Sequence, residues 1–439
     1  MTRDARDAPS PVLLALVLFV LSLQGITVLI ILEWLPSLKA QPTGVAALGV
    51  GFLLCFGGLS LTCFRRCGCK LSLTAAFFAV TSWSAVVDFV LAAALINATP
   101  VSRFYMETGE EYFKSSWGFW ALAWDGTAHY CLQLFLAHST LLERPKASAT
   151  LFWAGSIINS MPVLLLGAAT GSYSAEIKPS TALNAPYVLF PIAILTQTLA
   201  SSPGPATSSA VPRSIQAAAG RQPRSTAARV HRMWELGFDG TMAIFHASAI
   251  LLHCWRAIVV LGGKEAAVGG WVSLVEPMLA EASHSRPSFG FVRVQLLVYF
   301  FYYVPFHTWA LARTAAPPSP ALTAWAMVIA GGCAQAEATC IGAAATRWVG
   351  FQPLELQPLP PPFLALHVPM ALMPLAYALR CRFRSLGHGP AGAGGGGEHV
   401  AAGRAASGAA GAAAEEDAGF AEDIAVTDLL GRVSLLMQE

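Results

Sequence analysis

The apolar residues of this chain are gathered in long blocks rather than scattered at the spacing of a surface helix. Ten blocks approach the roughly 20 residues a helix needs to cross a bilayer. They are 11–32, 43–64, 71–95, 117–141, 150–170, 185–200, 234–261, 291–312, 321–346 and 362–379. The pattern predicts an all-α polytopic membrane protein. Block 185–200 is the shortest and holds Pro186 and Pro191, which a membrane helix tolerates when neighbours satisfy the freed backbone groups. The first block is too long for a signal-peptide core and lacks a cleavage pattern, so it is expected to stay as a helix.

The polar segments between the blocks agree with this list. Counted from a cytosolic N-terminus, the inner segments carry 16 Lys and Arg and the outer ones 8. That bias and its alternation place both termini in the cytosol. Of the 439 residues, 12% are charged and 55% hydrophobic, against about a quarter charged in a soluble chain. The mean hydropathy is +0.55. Composition argues against an ordinary cytosolic globular enzyme, and a net charge of +2 provides no field for nucleic acid. The nine cysteines form neither a disulfide nor a zinc pattern. Cys63, Cys67 and Cys69 lie at an expected cytosolic membrane edge, where palmitoylation is one reading and plain small residues the other. Asn97-Ala98-Thr99 matches a glycosylation sequon but hugs a span and precedes Pro100.

The blocks divide unevenly. A helix pair fills 1–70, a first set of four spans fills 71–200, and a second set fills 234–384. Between the sets lies an Arg/Ser/Pro-rich segment, 201–233, expected to be a flexible cytosolic linker. In each set an acid sits in the first span (Asp88, Asp239) and a polar outer loop comes next, which reads as an internal repeat. Residues 385–439 form a Gly/Ala-rich tail expected to be disordered, with Ile424–Met437 its one amphipathic stretch.

An ionised group at the centre of a membrane helix costs roughly 2.5–3.5 kcal/mol on insertion scales. Each such group therefore needs a partner or a wet cavity. The acids are Asp88, Asp125, Asp239 and Glu337, joined by His129, His246 and His307. Asp125 and His129 are four apart and share a helix face, with Trp117, Trp120 and Trp124 beside them and Trp83 near Asp88. An acid–His pair beside indole rings suits a cationic or lipid-like ligand; the competing reading is an interfacial aromatic belt with the pair as glue between helices. Asp239 and His246 are seven apart on one face, Asp239 close enough to a span end to reach water. Gln335 and Glu337 lie among small residues and are expected deep in the bundle, whereas Arg256 and Arg293 lie near span ends and are expected to snorkel. No P-loop, dinucleotide fingerprint, HExxH, GxSxG or zinc-ligand spacing occurs, so neither cofactor nor metal is expected.

Several motifs in order resemble the transmembrane 6 superfamily. They are Tyr105-Met106-Glu107-Thr108-Gly109-Glu110-Glu111-Tyr112, Trp124-Asp125-Gly126-Thr127-Ala128-His129-Tyr130 and Trp153-Ala154-Gly155-Ser156-Ile157-Ile158. In the second half they are Glu276-Pro277, Tyr299-Phe300-Phe301-Tyr302-Tyr303-Val304-Pro305, Ala330-Gly331-Gly332-Cys333-Ala334-Gln335-Ala336 and Ile341-Gly342-Ala343. The resemblance implies tandem EXPERA-type four-helix bundles in endoplasmic-reticulum-related membranes and a part in lipid and sterol homeostasis. Distant relatives include the emopamil-binding sterol isomerase and the sigma-2 receptor, whose pockets take sterols or amphipathic amines. The isomerase places a His four residues before the acid of its first helix and a Glu in its second. Here Ser84 precedes Asp88 by four, and the second position falls near His129 or Tyr130.

The expectation is a sterol- or lipid-binding membrane protein, with Asp88, Trp83, Trp120, Trp124, Asp125, His129, Asp239, His246 and Glu337 as ligand-binding residues. The alternatives are a sterol double-bond isomerase with an altered residue set and a secondary lipid or amine transporter.

Overall fold

The computed structural model describes residues 10–201, 226–262, 275–277 and 289–387, apart from positions 36, 38, 39, 71, 172, 315, 347–350 and 352. Most of the linker, and the tail with Ile424–Met437, lie outside the described residues. Among the described residues, ten helices fill the ten apolar blocks. The first five are α1 (Pro11–Glu33), α2 (Pro42–Arg66), α3 (Leu73–Leu95), α4 (116–141) and α5 (Ala147–Thr170). After them come α6 (Ala185–Ser201), α7 (Thr226–Gly262), α8 (289–313), α9 (Pro320–Ala345) and α10 (Pro361–Gly387). Helix α7 thus starts inside the segment expected as linker up to residue 233.

The starts of these helices reflect local chemistry. Ser10, Ser72, Ser115 and Ser319 each cap a helix by accepting the backbone N–H three residues on. Pro11, Pro42 and Pro320 stand in the first turn, where no N–H is needed. Past the caps, the hydrocarbon leaves a backbone only itself to bond, so long apolar runs become helices.

Eight helices are each long and apolar enough to cross a membrane. The other two, α4 and α8, are continuous rods interrupted by a π turn. In α4 the turn is Asp125–His129, and in α8 it is Tyr299–Tyr303. A π turn lengthens the hydrogen-bonded loop by one residue and re-phases the remainder of the helix. Gly126 lies in the first turn, so close to α3 that a Cβ would collide with the Phe89 backbone. Eight positions ahead of each turn stand Trp117 and Phe291, whose rings stack at 4.9 Å and 3° across the two helices.

At the centre, α5 crosses α9. In their membrane windows, 72% and 78% of residues are buried, against 17% for α2 and for the span holding α6. The outer helices therefore turn their Leu, Ile and Phe to lipid. The crossing is backbone on backbone: a Cβ on Gly155 would run into the Val328 carbonyl oxygen, and one on Gly331 into that of Phe152. Small residues permit this approach, and in lipid, packing and hydrogen bonds must hold helices together. Asn159 donates to Gln335 at 2.6 Å and accepts from Tyr303 at 2.9 Å, so the crossing is also bonded.

Gly155→Ala or Gly331→Ala is expected to cost about 1–3 kcal/mol through overpacking. A melting curve of the detergent-solubilised protein reads this. Gly58→Ala, where nothing lies within 4 Å, should leave the melting temperature unchanged.

Candidate functional site

The loop between α3 and α4 folds back under the bundle. Its Ser102 N–H donates to Glu33 at 2.9 Å, which ties it to the end of α1. Asn97 at its start is exposed, in the left-handed region at φ 61°, with its amide oxygen held by Arg103. The loop delivers Glu110 into the protein, 4% exposed. Tyr105 donates to Glu110 Oε2 at 2.6 Å, while Tyr112 and Asn184 donate to Oε1, the latter at 2.7 Å. Burial pushes the Glu110 carboxyl above the usual range, and these three hydrogen bonds pull it part of the way back. Burial, and then the Glu110 charge, raise the Tyr105 and Tyr112 hydroxyls well above theirs.

Above this loop lies a half-enclosed cavity of about 150 Å³. Its apolar wall includes Val28 and Leu32 of α1, Phe52 of α2 and Met161 of α5. Asp88, Glu110 and Asp125 all face it, and no Lys or Arg appears among its described lining residues. Desolvation and the neighbouring acids Asp125 and Glu110 act on Asp88 with no hydrogen bond among the described residues, and the Trp83 indole N–H is unbonded. Tyr187, also on the cavity, is hydrogen-bonded to Ser84.

His129 is fixed on both sides. Its Nδ1 lies 2.5 Å from Asp125 Oδ1 and its Nε2 2.6 Å from Ser156 Oγ. The Trp124 indole N–H, which can only donate, lies 3.2 Å from both Nε2 and Ser156 Oγ. An ionised Asp125 can only accept, so Nδ1 is the ring nitrogen that donates to it. The i, i+4 pairing expected from the sequence is present, although inside a π turn.

Of the residues singled out in the sequence, Asp88, Trp83, Asp125 and His129 line the cavity, whereas Trp120 and Trp124 do not. Trp120 donates to Thr346 at 2.7 Å and covers Gly342 of α9, so its role is packing between the two sets. Trp124 orients His129 from behind. Asp239, His246 and Glu337 lie in the second set, away from the cavity. Asp239 is paired with Arg384 at 2.7 Å and Arg380 at 3.5 Å. His246 meets His307, Nδ1 to Nδ1, at 2.9 Å. Glu337 accepts from Tyr299 at 2.7 Å and lies 2.5 Å from His367 Nδ1.

Arg256 corrects the expectation of snorkelling. It is fully buried, with its Nε donating to Glu276 at 2.6 Å. Burial favours a neutral Glu276, but Arg256 and His367 outweigh it and hold the carboxyl below the usual range. A long basic side chain can reach inward when a loop acid meets it there, and sequence alone does not show that. Arg293 is exposed, as expected. Glu110, Asn184 and Tyr187 were also missed; the one available signal was a Glu pair flanked by aromatics in a loop. Among the described residues, Glu337, Cys340 and His367 offer ligand atoms within 4.8 Å of one another, close enough to share a metal ion. Glu337 and His367 already bond each other there, beside the Arg256 guanidinium.

A family model described as Transmembrane 6 superfamily member 2-like, transmembrane domain, matches residues 24–209. That stretch contains every lining residue of the cavity. Transmembrane 6 superfamily member 2 of Rattus norvegicus is 30% identical over 310 residues, 70% of this chain and 77% of that one. The Homo sapiens protein of the same name is 30% identical over 274 residues, 61% of this chain and 67% of that one. No solved structure matches. With its helices, its cavity and this extent of shared sequence, the chain is a multi-pass integral membrane protein belonging to the transmembrane 6 superfamily.

Proposed function

We propose that this protein binds a sterol or related lipid in the first set of helices and through it modulates lipid handling in an endoplasmic-reticulum-type membrane. The observation that carries the reading is the cavity with Asp88 and Asp125 on its wall. About 150 Å³ is room for a benzene-sized group, so the void takes the polar end of the ligand rather than the whole of it. The oily remainder lies along α1 and α2, which already face lipid. A sterol hydroxyl hydrogen-bonds the Asp88 carboxyl, which has no other partner among the described residues, and can accept from the Trp83 indole. The π turn in the second helix of each set, and the reciprocal glycines in the third, support reading the two sets as a tandem EXPERA-type repeat.

A second reading, a sterol isomerase, is favoured by one arrangement. Asp88 on α3 and the Asp125–His129 pair on α4 border the same void, so two proton-exchanging groups face one substrate position. Its weakness is that His129 is already committed to Asp125 and Ser156.

A hydrogen bond to a buried carboxyl contributes about 0.5–1.5 kcal/mol net. Asp88→Asn or Asp125→Asn is therefore expected to weaken crosslinking of a photoactivatable sterol by up to about tenfold. Unchanged labelling in both variants would reject the acids as the polar anchor. For the second reading, expression in an isomerase-deficient yeast strain is expected to leave the sterol defect in place; rescue would make the protein an enzyme.

A further inference from the structure

The second set of helices, α7–α10, contains a cluster of buried titratable side chains. His246, His253, His307, Glu337 and His367 are each 0% exposed. Their contacts link them into a file through the second set. Glu276, in the loop after α7, lies 3.6 Å from His367 Nε2. The other nitrogen of that ring meets Glu337, and the second oxygen of Glu337 meets the Tyr299 hydroxyl. The Tyr299 ring lies against His253 at 4.7 Å, and His253 stacks on His307 at 5.9 Å. His307 meets His246, which abuts Tyr377 at 4.6 Å. Tyr377 and Asp239 then line one small cavity at the far end of α7. Asp239 to Arg256, the neighbour of Glu276, is seventeen residues of helix, about 25 Å of rise. That approaches the roughly 30 Å hydrocarbon thickness.

Polar groups buried only to hold helices together find partners. Here both ring nitrogens of His253, and Nε2 of His246 and of His307, have none among the described residues. These unsatisfied nitrogens fall where the file changes from direct hydrogen bonds to ring contacts. A single water at each such place would give both flanking groups a partner and close the gap. At both ends a fixed charge is paired, Arg256 with Glu276 and Arg384 with Asp239, and Arg313 also lines the cavity at the Asp239 end.

We propose that α7–α10 conducts protons between Glu276 and Asp239. A proton arriving on Glu276 passes to His367 Nε2, and the Nδ1 proton moves to Glu337. The Tyr299 hydroxyl, which donates to Glu337 at rest, turns to deliver its proton toward His253 and is reprotonated by Glu337 once that carboxyl has rotated. Each imidazole gains a proton on one nitrogen and loses one from the other, so every group ends with the number it began with. Buried Asp, Glu and His chains serve this purpose in other membrane proteins.

The test uses the full-length protein in liposomes containing a pH-sensitive dye, with a potassium gradient and valinomycin to set the potential. The expected result is a proton flux severalfold above protein-free liposomes that falls to the protein-free rate in His253→Phe. That variant keeps an aromatic ring against Tyr299 but cannot carry a proton. Folding is checked by melting temperature, and His246→Phe interrupts the file at another place should the first variant unfold. Flux equal to protein-free liposomes, or wild-type flux in a folded His253→Phe or His246→Phe protein, would overturn the proposal. Sterol crosslinking in the same preparation reports on the first set alone, so the two readings can fail separately.

Discussion

The arrangement of every functional group in this protein depends on one close approach, the crossing of α5 over α9. A bilayer supplies no hydrophobic force to push one apolar helix against another. The crossing instead relies on Gly155 and Gly331, which let each backbone settle against a carbonyl of the other helix. Asn159 adds hydrogen bonds to Gln335 and Tyr303. Because α5 comes from the first set and α9 from the second, this contact locks the two together. Trp120 over Gly342 and Phe291 over Gly167 repeat the theme on either side, a large ring of one set seated on a glycine of the other. Ile157, Ser160, Met161 and Leu164 of α5 form one wall of the cavity, so its shape is set from the crossing outward.

The two sets resolve the cost of buried charge in opposite ways. In the first, Asp88, Glu110 and Asp125 gather around a void with no basic side chain but His129. In the second, Glu276 and Glu337 meet Arg256 and His367 directly. Arg256 is among the largest fully buried side chains, and its guanidinium brings both the charge and the volume that the first set lacks. An ion pair of this kind costs several kcal/mol per ion to desolvate and is rewarded only when its geometry is complete. The first set instead meets Glu110 with neutral donors and Asp125 with His129.

How far the sequence revealed this depended on the range of each interaction. Block length gave the helices, since it reflects only bilayer thickness. The Asp125–His129 bond was legible because both partners lie on one turn. The void beside Asp88 was an expectation of burial cost, and its position needed six elements to come together. Glu110 was passed over because a loop acid ordinarily sits in water; what buries it is Asn184, seventy-four positions on, together with two local tyrosines. Arg256 was misread for the same reason, its partner being a loop glutamate. Trp120 and Trp124 were grouped with Asp125 by spacing, but α9 claims the first and His129 the second. His253, one turn before Arg256 and two after His246, carried a periodic signal that was there to be read.

The π turns join these observations. One inserted residue rotates the rest of a helix by about 100°, and π turns are commonly retained at functional sites. In α4 the residues before the turn face α9 and the cavity, as Trp117 and Trp120 show. After it, Tyr130 is bonded to Ser22 of α1 at 2.9 Å and Gln133 faces the cavity. In α8 the turn itself sends Tyr299 to Glu337 and Tyr303 to Asn159, and His307 comes next on the face that meets His246. A regular helix presents one stripe to a protein interior and gives the rest to lipid. A rod that must contribute polar side chains on both sides of the membrane midplane, to neighbours lying in different directions, needs a change of phase between them. The π turn supplies it without exposing backbone groups to hydrocarbon, and α4 and α8 place it at the level where their polar side chains are needed.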